Sequence, residues 1–358
     1  MEISQMRLDS TAGDCRVSVQ VDFGRHGRSL WYSFDKAHTQ FIDLDCYDAF
    51  VIGLFPEAMN LGSDLTVDGA ISSDLIVGIR YYMHVMRALF PELKIIKLKC
   101  KKTLPNQRYA GQRRTIASFS GGIDSFCTLL ENWLQPMPDG DRVSYLLFAN
   151  VGSHGRSESG SRLFEKRLIR VQAAARDLEL PLLVVNSNLD SFYSLAFEKS
   201  HGARTVSCIM LFQPHFKRHL VPSTNAYADF GPDGSMPVAD HLLSTSATRV
   251  VHDGAQHSRI EKSRKIADWS TAREWLYVCT RDTPEAGNCS QCDKCVRAML
   301  TFELLGLRQL FEPVFDYAFF SESRARYIRK MNQLGIEAPN YYWREIVHYA
   351  RDNGCKLQ

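Results

Sequence analysis

No apolar run in this sequence approaches the roughly 20 residues that a membrane-spanning helix needs, and the block AFVIGLF at residues 49–55 is of a size a core helix uses. The N-terminus, MEISQMRLDSTAGDCR, lacks the charged-then-apolar layout of a secretion signal. Charge of one sign is equally scarce. Lys and Arg number 43 against 40 Asp and Glu, and a net charge of +3 gives no argument for a nucleic-acid or membrane partner. A GxxxxGK[ST] phosphate loop is missing as well. These absences point to a cytoplasmic protein without a membrane partner. In that compartment the ten cysteines are not expected to form a disulfide framework, so clustered ones read as metal ligands or catalysts.

What is present is enough to build cores: 45% of residues are apolar and 23% charged, over 358 residues that suggest two domains or one with a large extension. The most informative stretch is residues 115–134, TIASFSGGIDSFCTLLENWL. Thr115–Phe119 reads as a buried strand, and Ile123, Phe126, Cys127, Leu130 and Leu134 recur at helical spacing. Between them lie Ser120, Gly121 and Gly122, with Asp124 and Ser125 opening the helix. A strand, a glycine turn and a helix start leave backbone N–H groups free to hold an anion, and adjacent glycines let an oxyanion approach the backbone closely. A capped helix after a Gly-Gly turn is the bland alternative.

The run Ser120-Gly121-Gly122-Ile123-Asp124-Ser125 resembles the SGGxDS loop of the PP-loop ATP pyrophosphatases, the adenine nucleotide alpha hydrolase-like superfamily. That resemblance implies ATP as cofactor, cleavage between its α- and β-phosphates with Mg²⁺, and transfer of AMP to a substrate oxygen. Ser120, Gly121, Gly122, Ile123, Asp124 and Ser125 are then the phosphate-binding residues, with Ser120 and Asp124 also catalytic.

Along the rest of the chain, Arg16–Phe23 and Ser29–Phe34 read as a hairpin turning through glycines and His26. Asp45–Asn60 reads as a helix. Ser72 or Ser73 is a candidate N-cap for a helix over Asp74–Phe90, and Leu93–Cys100 reads as a strand. Residues 1–110 are therefore a small N-terminal α/β extension, structural or docking in role, with a protein as its partner class. Residues 101–114, basic and polar, read as a linker. From 115 to about 270, strands (Val143–Asn150, Leu182–Asn186, Phe216–Pro222) alternate with helices (Ser161–Leu180, Thr205–Phe212, Arg259–Asp268). That alternation predicts an α/β fold with a doubly wound parallel sheet, and places ligands beyond the carboxyl ends of its strands. The loop holding Asn150, His154 and Arg156 is either a surface loop or, as the superfamily resemblance implies, a set of adenine and ribose contacts. Arg204, just ahead of a short helix, resembles an arginine supplied to the nucleotide in related enzymes, which implies a catalytic role in offsetting charge as pyrophosphate departs. His241, His252 and His257 with Asp240 and Asp253 have spacings that argue against a metal cluster.

Cys279, Cys289, Cys292 and Cys295 form C-x9-C-x2-C-x2-C, while the other six cysteines are scattered singly. Four clustered thiolates suit tetrahedral Zn²⁺ and leave no open position, so the ion would be structural; a redox or sulfur-carrying pair, Cys292 with Cys295, is the rival. A PP-loop followed by these cysteines and an arginine-bearing helix (Arg297) resembles the 7-cyano-7-deazaguanine synthase family of the queuosine pathway over residues 115–305. That likeness implies a ligase that adenylates a carboxylate for attack by ammonia or an amine. Diverged relatives modify proteins, some in antiviral defence operons. The family's ring-binding stretch is not matched by Ser223–Gly234, and two additions stand outside it: residues 1–110 and a helical tail over 306–358 carrying Tyr327, Tyr341, Tyr342 and Trp343. A tRNA thiolase using Cys292 and Cys295 (or Cys127 and Cys208), and a non-catalytic nucleotide-binding module, are the alternatives.

Overall fold

In a computed structural model the chain is an α/β protein; the structure describes residues 1–24, 27–106, 108–109, 113–138, 140–282, 287–334, 341–355 and 357. Among the described residues ten strands form one sheet: β1 Glu2–Ser10, β2 Asp14–Asp22, β3 Gly27–Asp35, β4 Leu65–Ser72, β5 Leu98–Leu104, β6 Arg114–Ser118, β7 Val143–Asn150, β8 Leu182–Ser187, β9 Phe216–Pro222 and β10 Arg249–Asp253. Their order is β10-β9-β6-β7-β8-β3-β2-β1-β4-β5. Parallel pairing runs from β10 to β8 and again from β1 through β4 to β5, while β8–β3, β3–β2 and β2–β1 are antiparallel. The helices are α1 Asp48–Leu61, α2 Ser73–Leu89, α3 Ile123–Leu129, α4 Glu158–Asp177, α5 His201–Met210, α6 Arg259–Ala267, α7 Ser270–Trp275, α8 Asp293–Leu304, α9 Phe320–Leu334 and α10 Tyr341–Asp352. No helix among the described residues is long and apolar enough to cross a membrane.

The N-terminal strands do not build a sheet of their own. Tyr32 and Ser33 of β3 pair with Ser187 and Asn186 of β8, so residues 1–104 continue the sheet of the motif-bearing half. The hairpin pairs Asp14–Asp22 with Gly27–Asp35, and His26 in its expected turn lies outside the described residues. The strand expected over Leu93–Cys100 sits further on, at Leu98–Leu104, and so takes up the start of the expected linker; residues 107 and 110–112 of that linker lie outside the described residues. Strands β1, β4 and β10 were not anticipated from periodicity.

Two cores cover the two faces. One is built on α1, α2 and α5; α1 is buried almost all round because DAFVIGLFPEAM presents apolar atoms in every direction. The other holds α3, α6, α8, α9 and α10. Trp343, from the tail, is fully buried within it.

Chain order reverses at β6. It is flanked by β7 on one side and β9 on the other, so the loops after β6 and β9 part to opposite faces and leave a crevice at their carboxyl ends. That is where Ser120–Asp124 lies.

Candidate functional site

A cavity of about 320 Å³ opens at this switch point. Ser118, Phe119 and Ser120 leave β6 into it, Leu147, Phe148 and Ala149 come from β7, and Val221, Pro222 and Thr224 from β9. Gly122, Ile123, Asp124 and Ser125 line it at the start of α3. That helix begins with Gly122 in extended conformation and no side chain capping it, and continues as a π-helical turn over Leu130–Leu134. Ser125 Oγ donates back to the Gly122 carbonyl at 2.9 Å. Gly121 takes a φ of +73°, which an L side chain adopts only under strain. Its carbonyl accepts the Tyr277 N–H at 2.8 Å, tying the loop to the segment that leads into Cys279.

The charge around this cavity is lopsided. Among the described residues, Arg167 (α4), Arg259 (α6), Lys294 and Arg297 (α8) line it, and Asp124 is the one carboxylate that does. Asp124 is already engaged: Arg259 Nη2 lies 2.8 Å and Lys262 Nζ 3.3 Å from its two oxygens. Arg167 donates to the Cys279 carbonyl at 2.5 Å. Lys294, exposed by its solvent-accessible surface, is pushed down to about 8, first by desolvation against surrounding protein and then by Arg167, Arg297 and Arg259. Burial, with Arg167 adding to it, pushes His154 down to about 3. Its neutral ring is held between the Asn150 amide oxygen, 3.1 Å from Nδ1, and Arg167 Nη1, 3.5 Å from Nε2. Cations crowded this way lose hydration and repel one another, and a bound polyanion relieves both costs.

No protein-family model, curated protein or solved structure matches the chain.

The expected site residues divide into two groups. Ser120, Gly122, Ile123, Asp124 and Ser125 come together on the cavity, with Gly121 forming the turn behind them. Asn150, Arg156 and Arg204 are not part of its lining. Asn150 instead orients His154, which is. Arg204 does not precede the short helix but sits in its first turn, 1% exposed. Its Nη1 meets Asp190 Oδ1 at 2.5 Å, its Nε donates to Ser200 Oγ at 2.9 Å, and its guanidinium covers Tyr193 at 3.6 Å. Arg156 Nε grips the other oxygen of Asp190 at 2.7 Å. The two arginines clamp the loops after β7 and β8 together behind the site. A Cβ on Gly152 would stand 2.6 Å from Arg204 Nη1, so the chain needs glycine to pass this pair.

The residues sequence reasoning missed are Arg167, Arg259, Lys294 and Tyr342. Only Lys294 carried a local signal, lying between two cysteines of the C-x2-C-x2-C run.

The four cysteines converge. Their sulfurs all lie within 4.8 Å of one another, with Cys289–Cys295 at 3.9 Å and Cys279–Cys292 at 4.0 Å. A tetrahedron with Zn–S bonds of about 2.3 Å has edges of about 3.8 Å, so the donor set fits a metal ion such as zinc. Backbone N–H groups of Cys292 and Arg281 point at the sulfurs of Cys289 (3.2 Å) and Cys279 (3.4 Å), a polarity suited to thiolates. Asn288 staples the ligand-bearing segments: its side-chain oxygen accepts from Val278 and Cys279 N–H, and its amide donates to Leu276 and Val314 carbonyls. Tyr277 and Val278, just before one ligand, and Lys294 and Arg297, among and after the others, are all cavity residues.

Proposed function

We propose that the chain is an ATP-dependent, AMP-forming carbon–nitrogen ligase or amidating enzyme of the PP-loop type, similar to 7-cyano-7-deazaguanine synthase. Its substrates are ATP, a small-molecule or protein-borne carboxylate, and ammonia or an amine. The supporting observation is the meeting of the Ser120–Ser125 loop with four cations in one cavity at the switch point of the sheet.

In this reading Ser120 binds phosphate oxygens through its hydroxyl and backbone N–H, and Gly122 and Ser125 through their backbone N–H groups, the Ser125 hydroxyl being given to the Gly122 carbonyl. Arg259 and Arg167 offset the charge that grows on departing pyrophosphate, the term that dominates such transfers. A carboxylate oxygen attacks the α-phosphorus as the bond to the bridging oxygen breaks and pyrophosphate leaves. The amine nitrogen then attacks the acyl carbon, AMP departs with the C–O electrons, and the nitrogen gives up its proton. Asp124, with Arg259 and Lys262 on its oxygens, orients the loop. Magnesium arriving with ATP would find in Asp124 its one lining carboxylate and would otherwise be held by phosphate oxygens, an arrangement common for that ion. The four cysteines would hold structural Zn²⁺ and stiffen the cationic wall.

For the sulfur-transfer alternative, the pair Cys127 and Cys208 is poorly suited. Cys127 is fully buried and its thiol is pushed up to about 12, first by burial, while burial raises Cys208 further still. A thiol so held is a poor nucleophile.

ATP–pyrophosphate exchange, or carboxylate-dependent AMP release, tests the proposal, with Asp124→Ala and Ser120→Ala as controls. Exchange in the parent chain and its collapse in both variants is expected; exchange indifferent to both substitutions would overturn the assignment of the loop.

A further inference from the structure

Lys294 and Arg297 reach the cavity from a different element than the phosphate loop. They ride on α8, not on the β6–α3 turn; among the described residues neither side chain makes an ion pair or a hydrogen bond, although the charge of Asp124 reaches both. Asp124, the one lining carboxylate, is taken up by Arg259 and Lys262.

One face of Arg297 is covered. Its guanidinium carbon lies 3.7 Å from the centroid of the Tyr342 ring, which itself lines the cavity; Arg259 approaches the same ring at 5.4 Å. Tyr342 is not a loosely placed side chain. Its helix α10 is fastened to α6 by Glu345, which accepts the Ile260 N–H at 2.6 Å, and by Arg264, which donates to the Tyr349 hydroxyl at 3.1 Å. Trp343 beside it is buried in the core. A ring stacked on a guanidinium blocks its face and leaves its edge, where the N–H donors form a planar fork matched to a planar oxyanion.

We propose that Lys294, Arg297 and Tyr342 form a second oxyanion subsite, which takes the planar carboxylate of the acceptor while ATP's phosphates lie at the serine–glycine loop. The assignment rests on the ligase reading above and adds to it the residues that choose the acceptor. It makes the C-terminal helix part of the substrate pocket, with Tyr342 as a positioning residue that presents the Arg297 fork.

The test uses the full-length, metal-loaded chain and two probes: ATP, and benzoate as a carboxylate on a flat apolar body. Each is titrated by calorimetry, benzoate at saturating ATP, against the parent, Arg297→Met, Lys294→Met, Tyr342→Ala and Tyr342→Phe. Metal content and melting temperature check the fold, and the Tyr342 pair carries the test should a charge variant fold poorly. Benzoate affinity is expected to fall about ten-fold or more in Arg297→Met and Tyr342→Ala and to survive in Tyr342→Phe, with ATP affinity changed by less than about three-fold. Ser120→Ala should do the reverse. Loss of ATP affinity equal to that of benzoate would make these cations part of the phosphate site and overturn the proposal. Inorganic phosphate competing as well as benzoate would overturn the carboxylate assignment. Benzoate binding that depends on Arg297 in a chain that binds no ATP would instead sink the ligase reading and leave the subsite standing.

Discussion

The Tyr277 N–H donates to the carbonyl of Gly121 at 2.8 Å. Two residues beyond Tyr277 is Cys279, so the turn that faces the cavity and the four-cysteine centre are joined by a single short piece of backbone. Loss of metal should therefore be felt at the phosphate loop. We expect about one tightly held zinc per chain by elemental analysis. Cys292→Ser should lower metal content and melting temperature together, by roughly 4 °C for a loss of about 3 kcal/mol, and weaken ATP binding in parallel. A metal-free chain that melts and binds ATP like the loaded one would contradict the link.

Gly121 itself is constrained by conformation and not by space, since a Cβ there would meet nothing nearer than 3.8 Å. Gly121→Ala should cost about 1–2 kcal/mol through its positive φ. Because the strain falls on the loop, ATP affinity should drop more than urea-measured stability does. Equal affinity in the two proteins would show that the turn does not shape the site.

The arginine clamp makes a different prediction. Asp190→Asn leaves Arg204 buried beside a neutral group and releases Arg156. A stability loss of about 3 kcal/mol is expected, at the low end for a broken buried pair because Asp190 is partly exposed. Residual ATP binding per folded molecule should remain. Abolished binding in a fully folded variant would place Arg204 in direct contact with nucleotide.

Acid should weaken the fold through its histidines. His219 is completely buried, with Nε2 bonded to Ser118 Oγ at 2.8 Å and Nδ1 without a partner; burial pushes it down to about 3. His154 at about 3 and His215 at about 4 are lowered for the same leading reason. The unfolded chain takes up these protons near pH 6.5 and the folded one does not. Stability is thus full above about 6.5 and is lost as pH falls toward about 3 for His154 and His219 and about 4 for His215, each contributing about 1.4 kcal/mol per pH unit. Urea melts at pH 7 and pH 5 on the parent and His219→Gln should differ in slope by close to one proton; identical slopes would refute the assignment.

How much of this was legible depends on distance along the chain. The four cysteines could be read because three of them fall within seven residues, and a ligand set so local announces itself. Ser120–Ser125 could be read because strand, turn and helix are contiguous. Arg167 and Arg259 could not, since each sits on a different segment among ordinary surface-type charges and only the packing of α4 and α6 brings them to one cavity; Lys294 had only its place between two cysteines to mark it. Arg204 was misplaced because its partner Asp190 lies on another loop, where nothing in the local pattern marks an ion pair. The union of the two halves by β3 against β8 is likewise a pairing between residues some 155 apart, invisible to periodicity. Strand β10 was obscured by His252 and Asp253, which drew attention as polar residues while Arg249–Asp253 was forming the sheet's edge beside β9.

Whether the cavity at the end of β6 holds a triphosphate is tested most directly by a calorimetric titration of the metal-loaded chain with ATP. One ATP per chain is expected, displaced by pyrophosphate and weakened about ten-fold or more by Ser120→Ala. A folded, metal-loaded chain that takes up no ATP, or takes it up undiminished in Ser120→Ala, would contradict that expectation.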